Sequence, residues 1–224
     1  VFLSINKPDG VEFNALIPNM KGLELAAEAG LKEVVTIMSA SESHNKKNIN
    51  KTVAESLKEI EAVIRAASEN GIRVRSYIAT VFGCPIEGDI SEKKVVEIAE
   101  ALRQYGAYEI SLGDTTGMAN AKQVYGMCKK VLETIDRASV AVHFHRSGGI
   151  EYANILASLQ AGIRVFDGAV GGLGGCPYAP GATGNIATET LVEMLSRMGI
   201  ETGIDPDRIT ACGEYAKSLS VYSA

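Results

Sequence analysis

Tryptophan is missing from the 224 residues and aromatic residues make up only 6% of them, an absence that by itself excludes nothing. Other absences exclude more. No apolar run approaches the roughly 20 residues that a helix needs to cross a bilayer, and no secretory leader is visible at the start. Basic residues are not in surplus: the net charge of -5 argues against a nucleic-acid or membrane-surface partner. The four cysteines (Cys84, Cys128, Cys176 and Cys212) form no CxxC pair. That speaks against a zinc ribbon or a disulfide scaffold, and for free thiols in a reducing compartment. No GxGxxG fingerprint follows a first strand, so dinucleotide binding of the Rossmann kind has no sequence support.

What is present is an ordinary globular composition, 46% hydrophobic and 22% charged, long enough to bury a core without disulfides or structural metal. No break in composition divides the chain, so residues 1–224 read as a single domain. Short β-branched apolar runs at 11–17, 33–38, 72–79, 108–113, 139–145 and 163–170 read as buried strands. Segments with helical spacing fall at 21–30, 52–70, 91–105, 121–136, 149–161 and 186–198. The clearest is 52–70, where Val53, Leu57, Ile60 and Ile64 share one face and Thr52 and Glu55 make a capping box. Strands alternating with helices predict a parallel sheet, either doubly wound or closed as a (β/α)₈ TIM barrel. Polar residues gather after several strands rather than one, which favours the barrel. Only about six of the eight strand–helix units are found, and the opening VFLSINKPDG reads as the tail of an earlier helix, so the chain is expected to lack the first strands.

The sharpest chemical signal is HFH. His143 and His145 are two of only three histidines, and alternation along a strand points them the same way. Two imidazoles on one face of a strand end suit a shared metal ion better than coincidence. The stretch GGLGGCPYAPGATGN places Cys176 in a glycine-rich loop after the last strand, where a thiol can serve as acid, base or nucleophile. Cys84, in FGCPIEG, has similar local chemistry, while Cys128 and Cys212 read as packing residues. Asn185 reads by default as a helix N-cap, and alternatively as a metal ligand through its carbonyl oxygen. Asp114, in LGDTTG, is a turn residue or a site carboxylate. The stretch ESHNKKNIN reads as a solvated approach to a helix, with two lysines that could meet phosphates of a ligand.

Taken together, GLGGCPYAPGATGN, HFH, EISLGDTTG and FGCPIEG resemble the 3-hydroxy-3-methylglutaryl-CoA lyase family, from residue 11 to about 210. Related isopropylmalate and homocitrate synthases typically carry Gly–Glu–Arg where this chain has CPYAPG. The resemblance implies a metal-dependent TIM-barrel enzyme that performs retro-Claisen cleavage of an acyl-CoA to acetyl-CoA and acetoacetate, as in leucine degradation and ketone-body formation. It implies His143, His145 and Asn185 as ligands of Mg²⁺ or Mn²⁺, and Cys176 as the catalytic cysteine on a mobile loop. Ser111, Asp114 and Thr115 would lie beside the CoA thioester substrate, with Glu189 in support. The family's remaining metal ligand, an aspartate on the first strand next to a catalytic arginine, and a glutamate on the second strand are not found in this chain. Arg146–Ser147 stands where the lyases usually carry Asp–Thr. A homodimer is expected, in the cytoplasm or, in a eukaryote, the mitochondrial matrix. On sequence alone, a related aldolase or Claisen synthase acting on 2-oxo acids, or a homologue with an impaired site, remains open.

Overall fold

The computed structural model describes residues 2–174 and 184–219. Six strands form one parallel sheet: β1 (Asn14–Leu16), β2 (Glu33–Ser39), β3 (Arg73–Ala79), β4 (Glu109–Asp114), β5 (Val140–Phe144) and β6 (Val165–Asp167). Each pairs with the next in chain order. A doubly wound sheet reverses its order at a switch point, whereas a barrel wall does not. The sheet curls into a half-barrel of the TIM type, as the sequence predicts.

Helices return the chain between strands: α1 (Met20–Glu28), α2 (Glu42–Ile49), α3 (Val53–Glu69), α4 (Glu92–Tyr105), α5 (Ala121–Val131) and α6 (Ile150–Ala161), with α7 (Thr188–Arg197) and α8 (Pro206–Leu219) after β6. The expected capping box closes the start of α3: Thr52 accepts the Glu55 N–H, and Glu55 accepts the Thr52 N–H. Glycines in the left-handed conformation end α4 and α6, at Gly106 and Gly162. Among the described residues, no helix is long and apolar enough to cross a membrane.

The register separates two faces of the sheet. Val34, Val74, Ile78, Ile110, Leu112 and Val142 are fully or almost fully buried in the apolar core. The other face carries the in-register rows Ile37–Tyr77–Ser111–Ala141 and Gly113–His143–Asp167. Core packing therefore fixes which residues face the concave side, because a slip of one position would exchange the two sets.

Several element bounds differ from the sequence reading. β1 and β6 hold three residues each. The helix read at 121–136 ends at Val131 and gives way to a turn. The helix read from 186 starts at Thr188, because the backbone before it is already engaged: Asn185 bridges His145, Ile186 donates to the Phe144 carbonyl and Ala187 bridges Ala169. The stretch ESHNKKNIN is mostly α2, and it is not a uniformly solvated approach. His44 and Asn45 are buried, and Asn45 ties the Ser39 N–H, the Lys51 carbonyl and Ser56 together.

Candidate active site

The concave face opens into a cavity of about 1080 Å³ whose lining includes Arg75, Tyr77, Thr115, His143, His145 and Asn185. Apart from Arg75, in the amino half of β3, these residues come from the carboxyl halves or ends of three strands and from the segment that pairs with β5, where chemistry sits in barrels.

His143 and His145 share the face that alternation predicts, with ring centroids 5.2 Å apart. Asn185 joins them through its backbone bridge to His145. Its side-chain Nδ2 donates to the Leu173 carbonyl at 2.8 Å, which leaves Oδ1 facing His143 Nε2 at 2.9 Å. Asn185 is therefore not a helix N-cap; Ala187 holds that position on α7, with no side-chain capping bond. Burial lowers the affinity of His143 for a second proton, although Asp167 and Asn185 oppose it. Burial, reinforced by His143, pushes His145 down to about 4. Both imidazoles are thus held as neutral lone-pair donors at neutral pH.

The donor set fits a divalent cation. His145 Nδ1 is buried with no hydrogen-bond partner among the described residues, and a buried nitrogen without a partner costs free energy unless something binds it. The neighbouring ring, 5.2 Å away between centroids, carries His143 Nε2, which faces Asn185 Oδ1, and both of these atoms also carry lone pairs. Two imidazole nitrogens and an amide oxygen suit an ion that takes mixed nitrogen and oxygen ligands. Among the described residues no three His, Cys, Asp or Glu side chains converge in this way; the third donor here is an amide.

Around these donors stand the expected Thr115 and two residues that the sequence reading did not single out, Tyr77 and Arg75. Tyr77 meets His143 edge-on, with ring centroids 5.3 Å apart, and its hydroxyl lies 3.0 Å from Thr115 Oγ1. Thr115 also accepts the N–H of Thr80, which holds a left-handed φ of 57° at the end of β3. That conformation is strained for a β-branched residue and persists only because its surroundings impose it. Arg75 reaches across the concave face, pairing with Glu109 and gripping Asp167 through two N–H donors at 2.8 and 3.1 Å. Burial alone would lower the Arg75 pKa, but Asp167 and Glu109 outweigh it and hold the guanidinium charged.

The remaining expected residues fall into distinct places. Ser111 faces inward and donates to Asp167 at 2.8 Å. Asp114 lies on the opposite face, 1% exposed, and accepts the N–H groups of Met118 and Ala119. Burial pushes its carboxyl up to about 6 despite those bonds. Glu189 accepts the Gly171 N–H at 3.0 Å and pairs with Lys217 of α8 at 3.2 Å, so it ties the segment after β6 to the last helix. Although burial opposes ionisation, those bonds hold the Glu189 carboxyl below its usual range. Arg146 is exposed; its backbone N–H donates to Gly184, and its Nη2 would lie 3.1 Å from a Cβ placed on that glycine. Cys176 lies outside the described residues. Cys84 is buried in a tight loop where its sulfur accepts the Ile86 N–H, Cys128 is buried on α5, and Cys212 is exposed rather than packed.

A family model described as HMGL-like matches residues 5–215. The hydroxymethylglutaryl-CoA lyase YngG of Bacillus subtilis is 45% identical over 211 residues, covering 94% of this chain and 71% of that protein. The crystal structure of the HMG-CoA lyase from Brucella melitensis superposes with a TM-score of 0.93 at 44% identity, over 97% of this chain and 77% of the other. An HMG-CoA lyase from Acinetobacter baumannii, in complex with coenzyme A and 3-methylmalate, gives a TM-score of 0.93 at 40% identity, over 97% of this chain and 71% of the other.

Proposed function

The chain belongs to the HMGL-like family, and we propose that it is a metal-dependent carbon–carbon lyase that cleaves a 3-hydroxy-3-methylglutaryl-CoA-like thioester to acetyl-CoA and a β-keto acid, acetoacetate. The observation that carries the reading is the convergence of His143, His145 and Asn185 at the carboxyl end of β5, with a buried ring nitrogen left unpartnered. These three residues would hold Mg²⁺ or Mn²⁺. The ion would supply Lewis acidity, polarising the hydroxyl and carbonyl oxygens of the substrate.

The residues of this chain supply the rest. Tyr77 and Thr115, hydrogen-bonded to each other in the cavity, offer hydroxyls to the polar groups of the acyl portion. Ser111 acts one step back, through Asp167. Asp114 shapes the loop that carries Thr115, and Glu189 anchors the segment leading away from β6. In the reaction the tertiary hydroxyl loses its proton and its oxygen becomes the ketone of the β-keto acid. The carbon–carbon bond breaks with its electron pair passing to the acetyl-CoA fragment as an enolate. Cys176 donates the proton that this carbon needs, as general acid.

Incubation with two reactant sets tests the assignment. The protein isolated from its source should release acetyl-CoA and acetoacetate from 3-hydroxy-3-methylglutaryl-CoA, and should not condense acetyl-CoA with 2-oxo acids. Condensation without cleavage would reassign it to the synthase branch.

A further inference from the structure

The environment of His143 is asymmetric in one respect and conflicted in another. Its register partner across the sheet is Asp167. The Asp167 carboxylate is immobilised: Arg75 Nη2 donates to Oδ1 at 2.8 Å, while Arg75 Nη1 at 3.1 Å and Ser111 Oγ at 2.8 Å donate to Oδ2. The same Oδ2 lies 3.7 Å from His143 Nδ1, close enough for charge attraction and too far for a hydrogen bond. On the other edge of the ring, Nε2 faces Asn185 Oδ1 at 2.9 Å. Tyr77, packed edge-on, limits rotation of the ring between the two. Both ring nitrogens therefore face oxygen acceptors, whereas a neutral imidazole has one N–H to offer. A cation between Nε2 and Oδ1 removes the conflict, because it attracts both lone pairs and leaves the proton on Nδ1, opposite the carboxylate.

We propose that Asp167, clamped by Arg75 and Ser111, is the positioning residue for His143, holding its proton on Nδ1 so that Nε2 is the nitrogen presented to the metal. This rests on the metal reading of the site. A metal-bound histidine is oriented and tuned by what its other nitrogen meets, and loss of such a partner typically lowers metal affinity 10–100-fold. The rival account makes Asp167 only a counter-charge for buried Arg75; its loss would then weaken cation binding with or without His143 and leave the His143 tautomer unchanged.

The test uses the full chain and three readouts. Mn²⁺ affinity by calorimetric titration should fall about 10–100-fold in Asp167→Asn. Side-chain ¹⁵N shifts at one sub-saturating Mg²⁺ concentration should show a larger Nδ1–H fraction of His143 in the wild type than in the variant. In a His143→Ala background, Asp167→Asn should change Mn²⁺ affinity no further. If Asp167→Asn does not fold, Ser111→Ala removes one clamp donor and leaves the carboxylate; it should weaken Mn²⁺ binding a few-fold and shift the tautomer balance in the same direction. Wild-type affinity and an unchanged tautomer, in Asp167→Asn or in its Ser111→Ala substitute, would overturn the positioning role while leaving the metal reading intact. A wild-type protein that binds no Mn²⁺ would overturn the metal reading, and this inference with it.

Discussion

A methyl group added at Gly113 tests how tightly the concave face is built. Gly113 sits on β4 in register with His143, and its φ is not in the left-handed region, so alanine meets no backbone penalty. The obstacle is Tyr77: a Cβ at residue 113 would lie 2.0 Å from its Oη, 2.3 Å from Cζ and 2.7 Å from Cε2. The phenol is rigid, so the ring must turn out into the cavity. In doing so it gives up the 3.0 Å contact with Thr115 and the edge-on contact with His143. A neutral hydrogen bond contributes about 1 kcal/mol net, and an aromatic contact about 0.5–1.5 kcal/mol. The sum, about 1.5–2.5 kcal/mol, agrees with the cost of over-packing a core by one methyl group. Gly126 is the control: it lies inside α5 with nothing within 4 Å of its added Cβ, and alanine there should gain about 0.5–1 kcal/mol through helix propensity. Urea denaturation should therefore place Gly113→Ala and Gly126→Ala about 2–3.5 kcal/mol apart, on opposite sides of the wild type. In a Tyr77→Ala background the cost at Gly113 should shrink to less than about 0.5 kcal/mol, since the two sites are coupled only through contact. Equal stability of the two single variants, or an undiminished cost without the tyrosine ring, would refute the packing described for this face.

Other predictions follow from the same geometry. Because burial raises the Asp114 pKa to about 6 in the folded protein, the folded state binds a proton that the unfolded chain releases until about pH 4. Wild-type stability relative to Asp114→Asn should therefore rise as pH falls from about 6 to 4, by about 1.4 kcal/mol per unit; a flat difference in denaturant midpoints across that window would contradict it. His143→Ala and His145→Ala should each weaken Mn²⁺ binding by more than about tenfold, and unchanged titrations in both would remove the metal assignment. Cys176→Ala should leave Mn²⁺ and CoA-ester affinity within a few-fold while turnover drops by about 100-fold or more; near-normal turnover would exclude the thiol as proton donor.

Much of this architecture is legible in the sequence because parallel strands are buried on both faces and read as short apolar runs. The shared face of His143 and His145 follows from strand periodicity alone. Arg75 and Asp167 were less visible. They are 92 residues apart, on strands that are not neighbours, and only curvature of the sheet brings them together. A local clue did exist: Arg73, Arg75 and Tyr77 alternate along β3, placing polar groups on one face of a strand whose other face is apolar but for Ser76. Asn185 illustrates the opposite difficulty. Just before a helical pattern, asparagine reads as a cap, yet here the backbone pairs with the end of β5 and delays α7 to Thr188, so the side chain turns to His143. Asp114 was legible as a polar residue at a strand end, but which face it takes follows from the register of β4 with β5.

The most direct test of the account is product analysis after chelation. The protein isolated from its source, stripped of divalent ions and given 3-hydroxy-3-methylglutaryl-CoA, should form neither acetyl-CoA nor acetoacetate. Added Mg²⁺ or Mn²⁺ should restore both in equal amounts, and His143→Ala should blunt that restoration. Cleavage that proceeds undiminished after chelation, or no cleavage with either ion present, would contradict the central claim.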